Sequence, residues 1–186
     1  MIHLLNPVHM LKEKPPIEKT SGVKIVGLIS DTHIPSRAKR LPDKVAEVFN
    51  DADLLIHAGD LTHMMVVEEL KAIAPVVAVH GNMDPYEVKA ALPKMTTVKV
   101  EGWEIGVLHD PDLLWGMRSV KRIASENNLD VLVFGHIHKP LIKREDDTLF
   151  INPGSPTNPL PPIIIKPTIG LLAITEEGVK PFIIEV

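Results

Sequence analysis

The chain contains no cysteine in its 186 residues, so disulfide bonds and thiolate-bound metals are both excluded. Any metal must therefore be held by nitrogen and oxygen atoms. Long apolar runs are also lacking, because proline, glycine or charge interrupts each run well short of a membrane span. The net charge of −4 provides no basic field for non-specific nucleic-acid binding.

The length fits one domain with a substantial core. Residues 1–22 carry proline and charge without a clear period, and we interpret them as an N-terminal extension to a domain over 23–186. The opening residues lack a basic region followed by an apolar run and a small-residue cleavage site. A cytoplasmic protein is therefore expected.

Apolar runs and helical stripes alternate in the first half of the domain. Short, nearly continuous apolar runs predict buried strands over 23–29, 53–57 and 75–79. Pro42 marks a helix start, and its apolar stripe follows at Val45, Val48 and Phe49. A second helical stripe ends before Pro75. The order β-α-β-α-β favours a parallel sheet.

The second half is richer in predicted strands. Hairpins are predicted over 96–108 and 141–151, a helix over 119–127, and further strands over 131–134, 169–174 and 182–186. Mixed strand types with helices outside them predict an α/β fold. The expected architecture is a four-layer αββα sandwich of two mixed β-sheets flanked by helices.

Side chains that can bind a metal follow the ends of the predicted strands. They are Asp31, His33, Asp60, Asn82, His109, His136 and His138. Because open α/β sheets bind ligands beyond the carboxyl ends of their strands, these side chains should converge. In an extended segment, Asp31 and His33 would point to the same side, as would His136 and His138. Two cations held there could clamp a phosphoryl group.

The ordered motifs D-x-H, G-D, G-N-x-D, H and G-H-x-H resemble the signature of the calcineurin-like metallophosphoesterases. The likeness is strongest to their small, single-domain phosphodiesterase branch, which the loop Asn152-Pro153-Gly154-Ser155 also matches. The resemblance extends from residue 23 to the C-terminus. It does not cover the N-terminal extension.

This resemblance implies a ligand set for each of two divalent cations. Asp31, His33, Asp60 and His138 would surround one, and Asp60, Asn82, His109 and His136 the other. The resemblance also implies catalytic roles for Asp60, Asn82 and His109, with a metal-bridging hydroxide attacking phosphorus in line. Manganese is the expected metal, while nickel, iron and zinc stay open. No other cofactor is expected.

The expected partner is a small phosphoester substrate rather than a nucleic acid or a membrane. A homo-oligomer is left open. Many relatives carry a histidine that protonates the leaving oxygen where this chain has Met83, so activated phosphodiesters are the expected substrates. Asp110 replaces a glycine that often follows the histidine matching His109, and its charge should disfavour strongly anionic substrates.

Several nearby residues have structural interpretations. His57 and His80 lie within apolar strands and are expected to be structural, although either could orient a ligand. His63 is expected at a helix start. For Asp84, a helix N-cap is slightly favoured over a position behind a ligand.

The alternative function is a protein-interaction scaffold with little or no turnover. The run from Asp31 to Arg37 is similar to the metallophosphoesterase-like subunit of the retromer coat. The apolar residues 160–165 would supply a partner surface. The complete ligand set favours the enzyme instead. A zinc hydrolase of amides or thioesters fits poorly, because the H-x-H-x-D-H cluster of that fold is missing.

Overall fold

The computed structural model describes residues 10–17, 19, 22–111, 117–157 and 166–186. Its strands are β1 (Met10–Leu11), β2 (Lys24–Ile29), β3 (Leu54–Ala58), β4 (Val76–Val79), β5 (Met95–Val100), β6 (Trp103–Leu108), β7 (Val131–Phe134), β8 (Leu141–Glu145), β9 (Thr148–Asn152), β10 (Thr168–Thr175) and β11 (Gly178–Glu185). Its helices are α1 (Asp43–Phe49), α2 (Met65–Lys71), α3 (Tyr86–Ala91) and α4 (Met117–Glu126).

The strands form two mixed sheets. One sheet has the order β1-β11-β10-β2-β3-β4, and the other has the order β5-β6-β7-β9-β8. The neighbours β2, β3 and β4 are parallel in the first sheet, and β6, β7 and β9 are parallel in the second. Strand β10 joins β2 antiparallel. The carboxyl ends of β2, β3 and β4 therefore share one edge, as do those of β6 and β7.

Three apolar clusters separate four layers. The middle cluster packs the sheets against each other, and the outer clusters pack the first sheet under α1 and α2 and the second under α4. In β7, Val131 and Val133 face the middle cluster, whereas Leu132 and Phe134 face α4. Continuous apolar runs arise because alternate side chains are buried on opposite faces of one strand. The predicted αββα sandwich is confirmed.

Strand β1 was not predicted, and helix α3 was anticipated only through the N-cap expected at Asp84. Strand β1 pairs in parallel with β11 at the sheet edge, so residues 10–11 of the predicted extension join the fold. Helix α3 follows Pro85, and its only buried residue is Val88. One buried position gives too weak a periodic pattern to reveal a helix. The boundary between residues 22 and 23 stays a prediction.

None of the helices in the described residues is long and apolar enough to cross a membrane. The proposed partner surface at 160–165 lies outside the described residues, as do residues 1–9 of the predicted extension.

Candidate metal centre

The seven predicted ligands all follow strands whose carboxyl ends meet at one end of the molecule. Asp31 and His33 follow β2, Asp60 follows β3, and Asn82 follows β4. From the second sheet, His109 follows β6, whereas His136 and His138 follow β7. The site therefore spans both sheets, as expected where parallel strands end side by side.

The first cluster consists of Asp31, His33 and His138. His138 Nε2 lies 3.2 Å from Asp31 Oδ1 and 3.3 Å from His33 Nε2. The two imidazole rings are stacked with centroids 5.1 Å apart. Two ring nitrogens and a carboxylate oxygen thus converge within coordination reach of one point. Such a nitrogen and oxygen set fits a transition-metal dication.

The second cluster consists of Asp60, Asn82, His109 and His136. Asn82 Oδ1 lies 3.0 Å from His109 Nε2 and 3.1 Å from His136 Nδ1. His109 Nε2 is also 3.3 Å from Asp60 Oδ2. The other His109 nitrogen, Nδ1, lies 2.8 Å from the carbonyl oxygen of Ala58. When the ring is neutral, a proton donated from Nδ1 to this carbonyl oxygen leaves Nε2 unprotonated and able to coordinate a metal.

Asp60 connects the two clusters through one oxygen. Its Oδ1 accepts a hydrogen bond from the Met83 backbone N–H at 2.8 Å. Its Oδ2 faces His109 Nε2 at 3.3 Å and His33 Nε2 at 3.7 Å. Since Oδ1 is already engaged, Oδ2 is the oxygen that faces both clusters.

Five of the seven predicted ligands have left-handed backbone conformations. Their φ angles are 54° at Asp31, 47° at His33, 58° at Asp60, 72° at His136 and 53° at His138. This conformation is unfavourable for residues with a Cβ, and such strained residues concentrate at functional sites. The energetic cost of these left-handed conformations supports a functional role for the loops.

Close packing requires glycine beside these predicted ligands. A Cβ on Gly81 would overlap Asp60 Oδ1. At Gly135, it would lie 2.7 Å from the Ala58 carbonyl oxygen and 2.9 Å from Asp31 Oδ2. The G-N and G-H steps of the motifs thus allow the loops to approach each other.

Residues at and just after the end of β9 hold the loops of Asp31 and His136 in place. Ser155 Oγ donates to the Asp31 carbonyl oxygen at 2.8 Å, and Thr157 Oγ1 donates to the Thr32 carbonyl oxygen at 2.6 Å. Asn152 Nδ2 donates to the Gly135 carbonyl oxygen at 2.7 Å. We call Asn152, Ser155 and Thr157 the loop clasp. No sequence signal indicated Thr157, because a hydroxyl in a proline-rich loop has no distinguishing pattern.

His57 is a buried structural residue behind the site. Its Nδ1 accepts the Gly59 N–H at 3.2 Å, and its Nε2 lies 3.1 Å from Thr32 Oγ1. Burial lowers the pKa of His57 to about 3 and thus keeps the ring neutral. The expected structural role agrees with these contacts, which join the loops carrying Asp31 and Asp60.

The remaining predicted structural residues lie at loop and helix boundaries. His63 Nδ1 accepts the N–H of Met65, the first residue of α2, at 3.0 Å, which fits the expected helix-start role. His80 Nδ1 lies 3.3 Å from the Gly81 carbonyl oxygen. The favoured N-cap role of Asp84 is wrong: Pro85 occupies the N-cap of α3, and the helix has no side-chain cap. The Asp84 carboxylate contacts the loops of Asp60 and Asn82 instead.

Burial and neighbouring charges shift the pKa values of the site residues in opposite directions. Burial lowers the pKa of His33, and the nearby Asp60 carboxylate only partly opposes it. For Asp60, burial favours a higher pKa, but the hydrogen bond and charge of His109 outweigh it and lower the pKa. His33 Nδ1 is buried without a hydrogen-bond partner among the described residues. A neutral imidazole and a charged carboxylate are the forms that bind metals.

Comparisons with known proteins agree with this site. The model of the calcineurin-like phosphoesterase superfamily domain matches residues 25–177, and the chain belongs to this superfamily. It is 37% identical over 155 residues to a probable metallophosphoesterase of Methanothermobacter thermautotrophicus, covering 82% of this chain and 87% of that relative. It is 28% identical over 177 residues to phosphodiesterase MJ0936 of Methanocaldococcus jannaschii, covering 86% and 99%.

The fold is also similar to the solved structure of Vacuolar Protein Sorting 29 from Cryptosporidium parvum. The TM-score is 0.79 at 26% identity, covering 88% of this chain and 92% of that chain. The family expected from the motifs is confirmed, and this second likeness agrees with the expected similarity to the retromer subunit. Family membership supports phosphoester chemistry with divalent metal ions.

Proposed function

We propose that this protein is a phosphodiesterase that uses two divalent metal ions to hydrolyse small or activated phosphodiesters. The observation that carries this proposal is the convergence of two donor clusters on Asp60 Oδ2. Asp31, His33 and His138 would hold one cation, and Asn82, His109 and His136 the other, with Asp60 shared. Such a pair would supply a nucleophile at neutral pH and positive charge beside the phosphoryl group.

The chain's own residues fix the geometry of this reaction. The Met83 N–H holds the Asp60 carboxylate, and the Ala58 carbonyl oxygen holds the His109 ring. Both side chains are almost fully buried, so packing as well as these hydrogen bonds restricts their orientation. Asp60, Asn82 and His109 are the residues to which we assign catalysis.

The mouth of the site favours diesters with good leaving groups. Met83 is half exposed beside Asp60 and cannot donate a proton to a departing alkoxide. Asp110 Oδ2 lies 3.8 Å from His136 Nε2, and both side chains are partly exposed. A carboxylate at the entrance repels a dianionic monoester more than a monoanionic diester. The likeness to phosphodiesterase MJ0936 supports the same substrate class.

Hydrolysis of bis-p-nitrophenyl phosphate and p-nitrophenyl phosphate tests the proposal. Purified protein is loaded separately with manganese, nickel, iron or zinc, and metal content per chain is measured alongside the rate. We expect two ions per chain, manganese to support turnover, and faster turnover of the diester. Asp60→Asn should abolish turnover, whereas Asp43→Asn, on the exposed face of α1, should leave it unchanged. Loaded wild-type protein that is inactive on both esters would overturn the proposal.

A binding scaffold is the second candidate, because the fold is similar to Vacuolar Protein Sorting 29. The scaffold needs no shared carboxylate between two donor clusters, whereas the enzyme does. A stoichiometric protein partner together with absent turnover would favour the scaffold. The cytoplasmic location and a homo-oligomer stay predictions from the sequence.

A further inference from the structure

One buried carboxylate joins the loop of Asp60 to the loop of Asn82. Asp84 Oδ2 accepts the backbone N–H of Asp60 at 3.0 Å and that of Gly81 at 2.6 Å. Asp84 Oδ1 accepts the Thr62 N–H at 2.6 Å. Asp84 is 3% exposed. Both of its oxygens are therefore directed at the backbone of the two ligand loops rather than at solvent.

Asp60 and the segment of Met83 and Asp84 hold each other by two reciprocal hydrogen bonds. The Asp84 side chain holds the backbone of Asp60, while the backbone of Met83, next to Asp84, holds the Asp60 side chain through Oδ1. The Met83 bond leaves Asp60 Oδ2 facing both clusters. A displacement of Asp84 would thus disturb the position and the rotation of the shared carboxylate together.

The backbone that Asp84 holds is strained. Asp60 and Thr62 have φ angles of 58° and 70°, which are unfavourable for residues with a Cβ. Charge-assisted hydrogen bonds to backbone N–H groups are among the stronger ones, and they stabilise this conformation. Helix α3 does not account for these bonds, because it has no side-chain cap.

We propose that Asp84 is a positioning residue that sets the distance between the two metal ions by clamping the loops of Asp60 and Asn82. The inference rests on the proposed function, since it needs a two-metal site. Asp84 itself coordinates neither ion. Its effect passes through Asp60, whose Oδ2 must stay between the clusters. Partners behind metal ligands commonly change metal affinity 10–100-fold when they are removed.

Manganese titration of the full chain, followed by calorimetry and electron paramagnetic resonance, tests the proposal without using activity. Wild-type protein should bind two Mn²⁺ ions and give a spin-coupled signal. Asp84→Asn replaces one acceptor oxygen with an amino group that cannot accept a backbone N–H. We expect it to bind the second ion about 10–100-fold more weakly and to lose the coupled signal.

Asp130→Asn is the matched control. Asp130 Oδ2 also accepts a backbone N–H, that of Glu104 at 2.7 Å, but Glu104 lies in β6, away from the ligand loops. This variant should lose stability while keeping both ions and the coupled signal. Equal losses of manganese affinity in both variants would show a general effect of destabilisation and would overturn the positioning role.

The outcomes separate this inference from the proposed function. Wild-type protein that binds no pair of coupled ions would overturn the proposed function, and the inference with it. A coupled pair in the wild type and an unchanged pair in folded Asp84→Asn would overturn only the inference. If Asp84→Asn does not fold, Asp84→Glu retains the charge but moves it by one methylene. A folded Asp84→Glu with weakened coupling supports the inference, and one with unchanged affinity and coupling overturns it.

Discussion

The backbone N–H of His136 points at the carboxylate of Asp31, with its nitrogen 3.2 Å from Oδ1 and 3.1 Å from Oδ2. Asp31 follows a strand of the first sheet, and His136 follows a strand of the second. The contact therefore joins the two sheets at the metal centre. A change in how the sheets pack would displace Asp31 relative to His136, so we expect stability and metal binding to be coupled.

The loop clasp should support metal binding as well as the fold. Ser155→Ala removes the hydroxyl that donates to the Asp31 carbonyl oxygen at 2.8 Å and leaves that oxygen, among the described residues, only the longer contact with Thr157 Oγ1 at 3.4 Å. Loss of one such hydrogen bond costs about 0.5–1.5 kcal/mol. We expect the free energy of unfolding, measured in urea without metal, to fall by that amount. Manganese affinity, measured on folded protein, should fall as well because Asp31 is less firmly held.

Thr148→Val provides the comparison for the clasp. Thr148 Oγ1 also donates to a carbonyl oxygen, that of Leu129 at 3.2 Å. Leu129 precedes β7, so this contact lies at the opposite end of the strand from His136. The control should change the free energy of unfolding and leave manganese affinity unchanged. Wild-type manganese affinity in Ser155→Ala would contradict a role for the clasp in holding Asp31.

Gly81→Ala adds only a methyl group, but it should strongly impair the metal centre. The added Cβ would overlap Asp60 Oδ1, the atom that the Met83 N–H holds. We therefore expect Asp60 to rotate and the second ion to be lost, which metal content per chain would show. Gly178→Ala is the control, because a Cβ added there would meet no atom within 4 Å and the φ of Gly178 is not positive. Two ions per chain in folded Gly81→Ala would contradict the close approach.

The elements of the fold were largely predictable, because the sheets bury both faces of their central strands. Val131–Phe134 is an uninterrupted apolar run, and the structure gives the strand those same bounds. The candidate ligands could be selected for a related reason, since they follow directly after such runs. Their convergence was expected from the strand ends alone.

The local geometry of the ligands was not predictable. Asp31 and His33 were expected in an extended segment, yet both have left-handed conformations, and the side chains meet because the loop turns sharply. Long-range hydrogen bonds stabilise this turn, such as the one from Ser155 to Asp31 across 124 positions. Asp84 was misassigned for the same reason. Its partners lie up to 24 positions away, beyond the reach of a helix-capping pattern.

His57 should make the folded state sensitive to acid. Its pKa is lowered from 6.5 to about 3 in the folded chain, so the unfolded chain binds a proton first as the pH falls. The stability that neutral, buried His57 contributes above pH 6.5 is therefore lost progressively as the pH falls from 6.5 to 3. This loss amounts to about 2 kcal/mol between pH 7.5 and 5.

His57→Gln isolates this effect. Glutamine offers an acceptor for the Gly59 N–H and a donor for Thr32 Oγ1, but it does not titrate. Urea unfolding of the metal-free proteins should show that the difference in unfolding free energy between wild type and His57→Gln narrows by about 2 kcal/mol as the pH falls from 7.5 to 5. A difference that stays constant with pH would contradict a neutral, buried His57.

Met83→His should change which leaving groups the enzyme expels. A histidine beside Asp60 can protonate a departing alkoxide, and such general acid catalysis is worth about 10²–10⁴-fold where it is needed. Aryl leaving groups need little protonation, so their kcat should change least. The measurement is the dependence of kcat on leaving-group pKa across a series of methyl aryl and dialkyl phosphodiesters. We expect a shallower dependence in Met83→His and an unchanged one in Met83→Gln, which matches the size but supplies no acidic proton. If kcat depends on leaving-group pKa as steeply in Met83→His as in the wild type, protonation of the leaving group does not limit the reaction. Met83 would then not account for a preference for activated esters.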